Sequence, residues 1–465
     1  MPQSALRGIL LLYCLLGHSF VFAQTVSGKL ATAFNSFQQD PQLRSGIASL
    51  YVVDAKTGEV VFGENAKTGL VPASTLKLVT SASAYELLGK GFRYKTGFAS
   101  AKKGNEAALL VLPGGDPTLG SWRWGETKEA SILNGLTQAM KTAGIKSLSA
   151  VVLENKGWEA GAIPDGWLWQ DIGNYYGAGA AKLNWRENQF DVILKSGAKV
   201  GDPVTIVAIE PEISGYELQS ALTSAASGTG DQAYIYFPLN GGAGTIRGTI
   251  PINQGRFSIS GAMPDASRQF VSALQGALSK AGIQAPAKPL AQGALPSPAE
   301  GYTTFHTVTS PPLDSIIYWF NRKSVNLYGE ALVRTIAYKS KGMATTEKGV
   351  EEIKALWKQK GIPETELNIV DGSGLSPLNR VTAHAQVSVL QYAKKQPWFG
   401  GFYASLPVFN GMKMKSGTMH GVKGYCGYYK GKDGREYAFS FLVNNYNGSE
   451  GALMKKMYAV LNALK

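Results

Sequence analysis

Two β-hairpin patterns stand at opposite ends of the chain and restrict its possible folds more than any other feature. "GIASLYVVDAKTGEVVFGEN" (46–65) is two β-rich runs around a turn at Ala55 to Gly58. "GMKMKSGTMHGVKGYCGYYKGKDGREYAFSFLVNNY" (411–446) ends in two strand runs joined by "KGKDGRE", and a last helical run follows at 450–465. Between the hairpins lie helical patterns at 69–89, 265–283 and 310–340. In the last of these, Leu313, Ile316, Ile317 and Phe320 mark one helix face before a break at Ser324-Val325-Asn326. From about Tyr94 the character turns to short β segments, with one helix expected at 130–143. The pattern predicts an α/β (α+β) domain split by a long β-rich insertion. Its parts would be 24–95, an insertion over 96–264, and 265–465, which contains proline-rich coil around 286–298.

The start, "MPQSALRGILLLYCLLGHSFVFAQ", has one positive charge, a short apolar run and Val21-Phe22-Ala23 before a cleavage point. This predicts an export leader over 1–23 and no permanent membrane anchor, because the run is too short to span a bilayer. Beyond the leader Cys426 is the only cysteine, so the fold rests on its core and not on a disulfide. Net charge is +13, with basic residues dispersed in singles and pairs. Such a field suits anionic polymers or surfaces; a nucleic-acid partner is not expected. An exported, basic chain points to the periplasm or cell envelope of a bacterium.

The run "GLVPASTLKLVTSASAYELLG" (69–89) is small and apolar yet carries Lys77. Ser74 stands three residues earlier, on the same helix face, so the lysine amine can reach the serine hydroxyl. The S-x-x-K match alone decides little, since Ser100–Lys103 and Ser196–Lys199 share it. K-[ST]-G also recurs, at 56–58, 67–69, 95–97 and 195–197. A serine opening a buried helix, then S-x-N between helices, then K-[ST]-G on a late strand is far more selective. Only Ser74, Ser324-Val325-Asn326 and Lys415-Ser416-Gly417 meet that order and setting.

"PASTLKL", "NRKSVNLYGEALVR", "VDGSGLSPLNRVT" and "KSGTMHGVKGYCGY" resemble the active-site blocks of class C low-molecular-mass penicillin-binding proteins, the D-alanyl-D-alanine carboxypeptidase/endopeptidase family. The resemblance covers nearly the whole chain beyond the leader and implies a serine β-lactamase/transpeptidase-like domain carrying inserted domains. Ser416 stands where the family usually has threonine, which preserves a hydroxyl. The family's function is acyl transfer on peptidoglycan stem peptides through a serine that β-lactams also acylate, without cofactor.

The implied roles follow residue by residue. Ser74 is the nucleophile. Lys77 is its base once burial and a second cation at Lys415 lower its pKa. Ser324 relays a proton to the leaving amine, and Asn326 holds Lys77 and the substrate amide. The backbone N–H groups of Ser74 and Thr418 form an oxyanion hole. Lys415, Ser416, Gly417 and Thr418 receive the terminal carboxylate. Asp171, in a W-x-D setting of the insertion, would contact the free amine of a diamino acid in the stem peptide.

Each residue also has a plainer reading. Lys77 alone could be a helix lysine reaching water, Ser324 and Asn326 a helix stop and cap, Lys415 a strand-surface charge, and Asp171 a cap or surface residue. "DGSGLSPLN" reads as structural support, and Trp122, Trp124, Trp158, Trp167 and Trp169 as core before glycan platform. Rival functions are a β-lactamase or esterase on the same fold, and a wall-binding protein that has lost catalysis. The first lacks an E-x-x-x-N between the first two motifs; the second usually loses the serine or lysine that this chain keeps. His306, His384 and His420 are widely spaced, so no metal site is expected. Oligomeric state is open.

Overall fold

A computed structural model describes residues 25–103, 106–159, 161–238, 242–286, 291–293 and 301–465. The expected leader (1–23) and most of the proline-rich stretch lie outside the described residues. The two terminal hairpins join in one six-stranded antiparallel sheet. Its order is Val408–Phe409, Met412–Met419, Val422–Lys430, Glu436–Asn444, Ile47–Asp54, Val60–Glu64. The first long strand pairs with the last, Ile47 opposite Asn444 and Asp54 opposite Tyr437.

Alternation along these strands supplies both faces of the sheet. Leu50, Val52, Met414, Phe439, Phe441 and Val443 bury against Leu30, Phe34, Phe37, Leu453 and Met457 of the terminal helices Val26–Gln38 and Glu450–Leu461. Side chains such as Val53, Cys426, Tyr428 and Ala438 face a second core, built from the helices Lys77–Leu88, Leu313–Arg322, Asn326–Lys341 and Ala383–Lys394. The result is a helix–sheet–helix sandwich whose sheet draws strands from both ends of the chain.

The inserted region forms two further cores. A five-stranded sheet, ordered Ala291–Gly293, Leu148–Glu154, Glu106–Leu112, Lys95–Lys103, Tyr302–Thr309, is covered by the helices Glu129–Thr142 and Ala266–Ala281. Two three-stranded sheets, drawn from strands between Gln189 and Ala262, pack around Phe190, Val192, Leu222, Ile235, Ile246 and Ile259.

The helix at 265–283, expected to begin the second part of the split domain, belongs to the insertion. It is capped by Asp265, whose side chain accepts from Arg268 N, and it ends at Gly282 in the left-handed region. Phe270, Val271, Leu274 and Leu278 bury against Phe98, Leu109, Leu136 and Trp185. The strand Tyr302–Thr309 pairs antiparallel with the entry strand, Thr309 opposite Lys95. The sheet and core of the inserted region thus take in Lys95–Lys103, Ala266–Ala281 and Tyr302–Thr309, elements that reach beyond the expected span of 96–264.

Candidate active site

Ser74 sits in a 3-10 turn, Ala73–Leu76, that leads directly into the Lys77–Leu88 helix. The turn is pinned to the sheet from two directions. Val71 exchanges backbone hydrogen bonds with the Asn444 side chain (2.8 and 3.1 Å). Gln386 donates to Thr75 Oγ1 at 2.8 Å and accepts from Ser440 at 2.6 Å. Ala73 has φ of +45°, unusual for a residue with a side chain, so the turn holds local strain beside the serine.

Lys77 is 0% exposed, and its Nζ has three partners: Ser74 Oγ at 2.9 Å, Asn326 Oδ1 at 2.6 Å and the Ser373 carbonyl at 2.6 Å. Two of these oxygens can only accept. A neutral amine has two N–H bonds and one lone pair. With its N–H bonds on the two carbonyl-type oxygens, the lone pair faces the one partner able to donate, the Ser74 hydroxyl. Burial lowers the Lys77 pKa to about 7, against the opposing pull of Asp371 and Glu330. The repulsion between Lys77 and Lys415 is mutual, and it is seen most at Lys415. Lys415 is itself held well below the ordinary lysine value by burial first, then by the charges of Lys77 and Lys423.

The "DGSG" loop packs under this amine. Gly374 has φ of +80°, and a Cβ there would stand 2.0 Å from the Ala73 carbonyl, so only glycine allows the contact. Asp371 accepts from Gly374 N at 2.8 Å, Ser376 N at 2.6 Å and Asn379 Nδ2 at 2.9 Å. The reading of this loop as support is therefore incomplete, since its Ser373 carbonyl touches Lys77 directly.

The strand Met412–Met419 approaches the Ser74 turn edge-on. A Cβ on Gly417 would stand 2.6 Å from the Pro72 carbonyl and 3.0 Å from Ser74 N, so this glycine sets how closely the two backbones meet. Lys415, 2% exposed, donates to the Ser416 carbonyl at 2.8 Å. Thr418 is exposed and accepts from Lys423 at 2.7 Å, and Lys423 also pairs with Glu450 at 2.6 Å. Ser324 is half-buried at φ +57°, in the break between the helices Leu313–Arg322 and Asn326–Lys341. That left-handed residue turns the chain so that the second helix starts at Asn326.

The insertion reaches the same place. Asn326 Nδ2 donates to the Tyr176 carbonyl at 2.7 Å, and the Tyr176 hydroxyl lies 3.4 Å from Asp171 Oδ1. Asp171 lies on the short helix Trp169–Ile172, and burial raises its pKa while the Tyr176 hydrogen bond pulls it back. Glu187, fully buried, accepts from Arg123 (2.7 and 2.9 Å), Ser121 (2.6 Å) and Tyr328 (2.6 Å), tying the insertion to the helix that starts at Asn326.

The D-Ala-D-Ala carboxypeptidase 3 (S13) family model matches residues 30–464, nearly the whole chain. The chain belongs to this family. A D-alanyl-D-alanine carboxypeptidase of Actinomadura sp. (strain R39) is 26% identical, the alignment covering 96% of this chain and 87% of that protein. D-alanyl-D-alanine carboxypeptidase DacB of Haemophilus influenzae is 24% identical, over 84% of this chain and 83% of its own length. The crystal structure of penicillin binding protein 4 from Haemophilus influenzae superposes with a TM-score of 0.78 at 21% identity, covering 92% of this chain and 98% of that one. The fold of that structure is shared over 92% of this chain.

Within this S13 chain the structure joins Ser74, Lys77 and Asn326 by direct hydrogen bonds and sets the Lys415–Thr418 strand beside them. It also brings in Ser373, Glu330 and Tyr176, to which the motifs assign no role of their own. Of the five tryptophans singled out, Trp122 and Trp169 are exposed, Trp167 donates to Asp371 at 3.0 Å, and Trp124 stacks on Tyr328. The fully buried tryptophans are Trp185 and Trp357. Among the described residues no cluster of His, Cys, Asp or Glu is placed to hold a metal ion, and no helix is long and apolar enough to cross a membrane.

Proposed function

We propose that the chain is a serine D-Ala-D-Ala carboxypeptidase and/or peptidoglycan DD-endopeptidase that forms an acyl-enzyme on Ser74 and is acylated there by β-lactams. The observation that carries this reading is the fully buried Lys77 amine 2.9 Å from Ser74 Oγ, with its other two contacts on acceptor oxygens. Ser74 Oγ attacks the carbonyl carbon of the penultimate D-alanine while Lys77 Nζ takes the hydroxyl proton. The oxyanion is received by the backbone N–H groups of Ser74 and Thr418, a role favoured by the close approach at Gly417. Ser324 relays a proton to the departing amine, and water then hydrolyses the ester, freeing Ser74.

Lys415, Ser416 and Thr418 bind the terminal carboxylate of the peptide. Burial beside Lys77 and Lys423 makes the Lys415 charge costly, and an arriving carboxylate offsets that cost. Asp171 binds the side-chain ammonium of the stem peptide's diamino acid, a role supported by the family resemblance and by the Tyr176 link to Asn326. The leader sequence supports export to the periplasm or cell envelope, where stem peptides are found.

The test is to incubate the purified protein with a fluorescent penicillin and map the labelled peptide. Label is expected on Ser74, and Ser74→Ala should abolish it with the thermal midpoint unchanged. Labelling of Ser74→Ala at the wild-type level would overturn the assignment.

A further inference from the structure

Glu330 is fully buried and belongs to none of the three motifs. It lies one helical turn after Asn326, so both side chains leave the same face of the helix Asn326–Lys341. Its carboxylate accepts from Gly372 N (3.2 and 3.1 Å) and from Ser373 N (2.8 Å). The carbonyl of that same Ser373 accepts from Lys77 Nζ at 2.6 Å. A second, neutral hold on the loop comes from Thr80, whose hydroxyl donates to the Gly372 carbonyl at 2.7 Å. One helix face thus presents both fixed acceptors to Lys77: Asn326 directly, and Glu330 through the Ser373 peptide.

We propose that Glu330 is a positioning residue for the acyl transfer. Its carboxylate fixes the Ser373 carbonyl on Lys77, which leaves the amine lone pair on Ser74, and its negative charge offsets the burial of Lys77 next to Lys415. This rests on the Ser74–Lys77 acyl-transfer reading. Burial and the neighbouring Asp371 raise the Glu330 pKa, while the hydrogen bonds from Ser373 and Gly372 and the Lys77 charge pull it back. The carboxylate form suits the site because each hydrogen bond it makes comes from a backbone N–H donor, and a protonated acid would need an acceptor in that place. The charged groups acting on Lys77 are Glu330 from its helix and Asp371 from the loop, both of which favour the ammonium, while Lys415 stands on the neighbouring strand. Without the Glu330 charge the balance tips further toward neutral Lys77. An amine that is neutral at lower pH is also a weaker base, so the carboxylate sets both the geometry and the basicity of the group.

The experiment is the pH profile of penicillin acylation, read as the second-order rate of Ser74 labelling. Glu330→Gln should lower the plateau rate at least about tenfold and move the midpoint of the acid limb down by roughly one pH unit. Glu330→Asp keeps the charge but withdraws the oxygens, so the plateau should fall while the midpoint stays near wild type. Thr80→Val removes the neutral hold on the same loop and should lower the plateau with the midpoint unmoved. An unshifted midpoint in Glu330→Gln, with label still on Ser74, overturns the role of Glu330 and leaves the acyl-transfer reading standing. Label on another residue of the wild-type protein overturns both. If Glu330→Gln does not fold, Glu330→Asp decides: a plateau equal to wild type overturns the positioning role.

Discussion

Asn326 donates its amide N–H to the carbonyl of Tyr176 at 2.7 Å, so a side chain of the helical core is held by the backbone of the insertion. The other end of the same amide accepts from Lys77 at 2.6 Å. The insertion is therefore part of how the amine is oriented, and not only a surface added beside the site. Asn326→Ala removes both contacts and leaves a Tyr176 carbonyl unpaired, at a cost of about 1–3 kcal/mol in stability. Penicillin acylation should fall at least about a hundredfold, because the Lys77 lone pair loses one of its two constraints. Urea unfolding and labelling rates measured on one preparation check the two effects.

The acid limb of the wild-type reaction should report Lys77. Burial lowers its pKa to about 7, and only the neutral amine can take the Ser74 proton. As pH falls below that value the ammonium form accumulates and the acylation rate drops about tenfold per unit; as pH rises above it the rate levels off. Lys77→Arg should cost on the order of a thousandfold at every pH, since guanidinium does not give up its proton. A rate within tenfold of wild type would remove the general-base role.

Gly417→Ala tests the approach of strand to serine turn. The added Cβ would meet the Pro72 carbonyl at 2.6 Å and Ser74 N at 3.0 Å. The backbones must part, at about 1–3 kcal/mol of overpacking. Acylation should slow at least about tenfold through a displaced oxyanion hole. Full-rate labelling would show that the two backbones need not be this close.

Asp171→Asn separates recognition from chemistry. KM should rise for muropeptides with a free side-chain amine, by roughly 2–5 kcal/mol of lost pairing, with no change on simple acyl-D-Ala-D-Ala substrates. Equal losses on both would make Asp171 a structural residue, and unchanged kinetics on both would place it outside the substrate path.

Periodicity and motif order made much of this molecule readable before its structure. The hairpins at 46–65 and 411–446 carry strong turn signals, and the break at Ser324 follows from where the apolar stripe of Leu313, Ile316 and Phe320 stops. The helix at 265–283 was equally visible, yet an amphipathic stripe says that a face is buried and not which sheet buries it. Its partners, Phe98 and Leu136, lie far back in the chain. Glu330 and Tyr176 escaped for a related reason. One acts through backbone N–H groups and the other through its own carbonyl, and neither use requires a recognisable spacing of side chains.

The pairing of Thr309 with Lys95 at the base of the insertion also bears on how the site comes together during folding. Lys77 and Asn326 are 249 residues apart along the chain, a separation that makes their encounter slow in an open coil. Once the insertion has zipped its own entry and exit strands, the remaining path between them is roughly 35 residues, which removes on the order of 2 kcal/mol of closure entropy. The inserted strands thus act as a shortcut, and a mutation that loosens them should delay the appearance of a penicillin-reactive serine during refolding before it alters the finished enzyme.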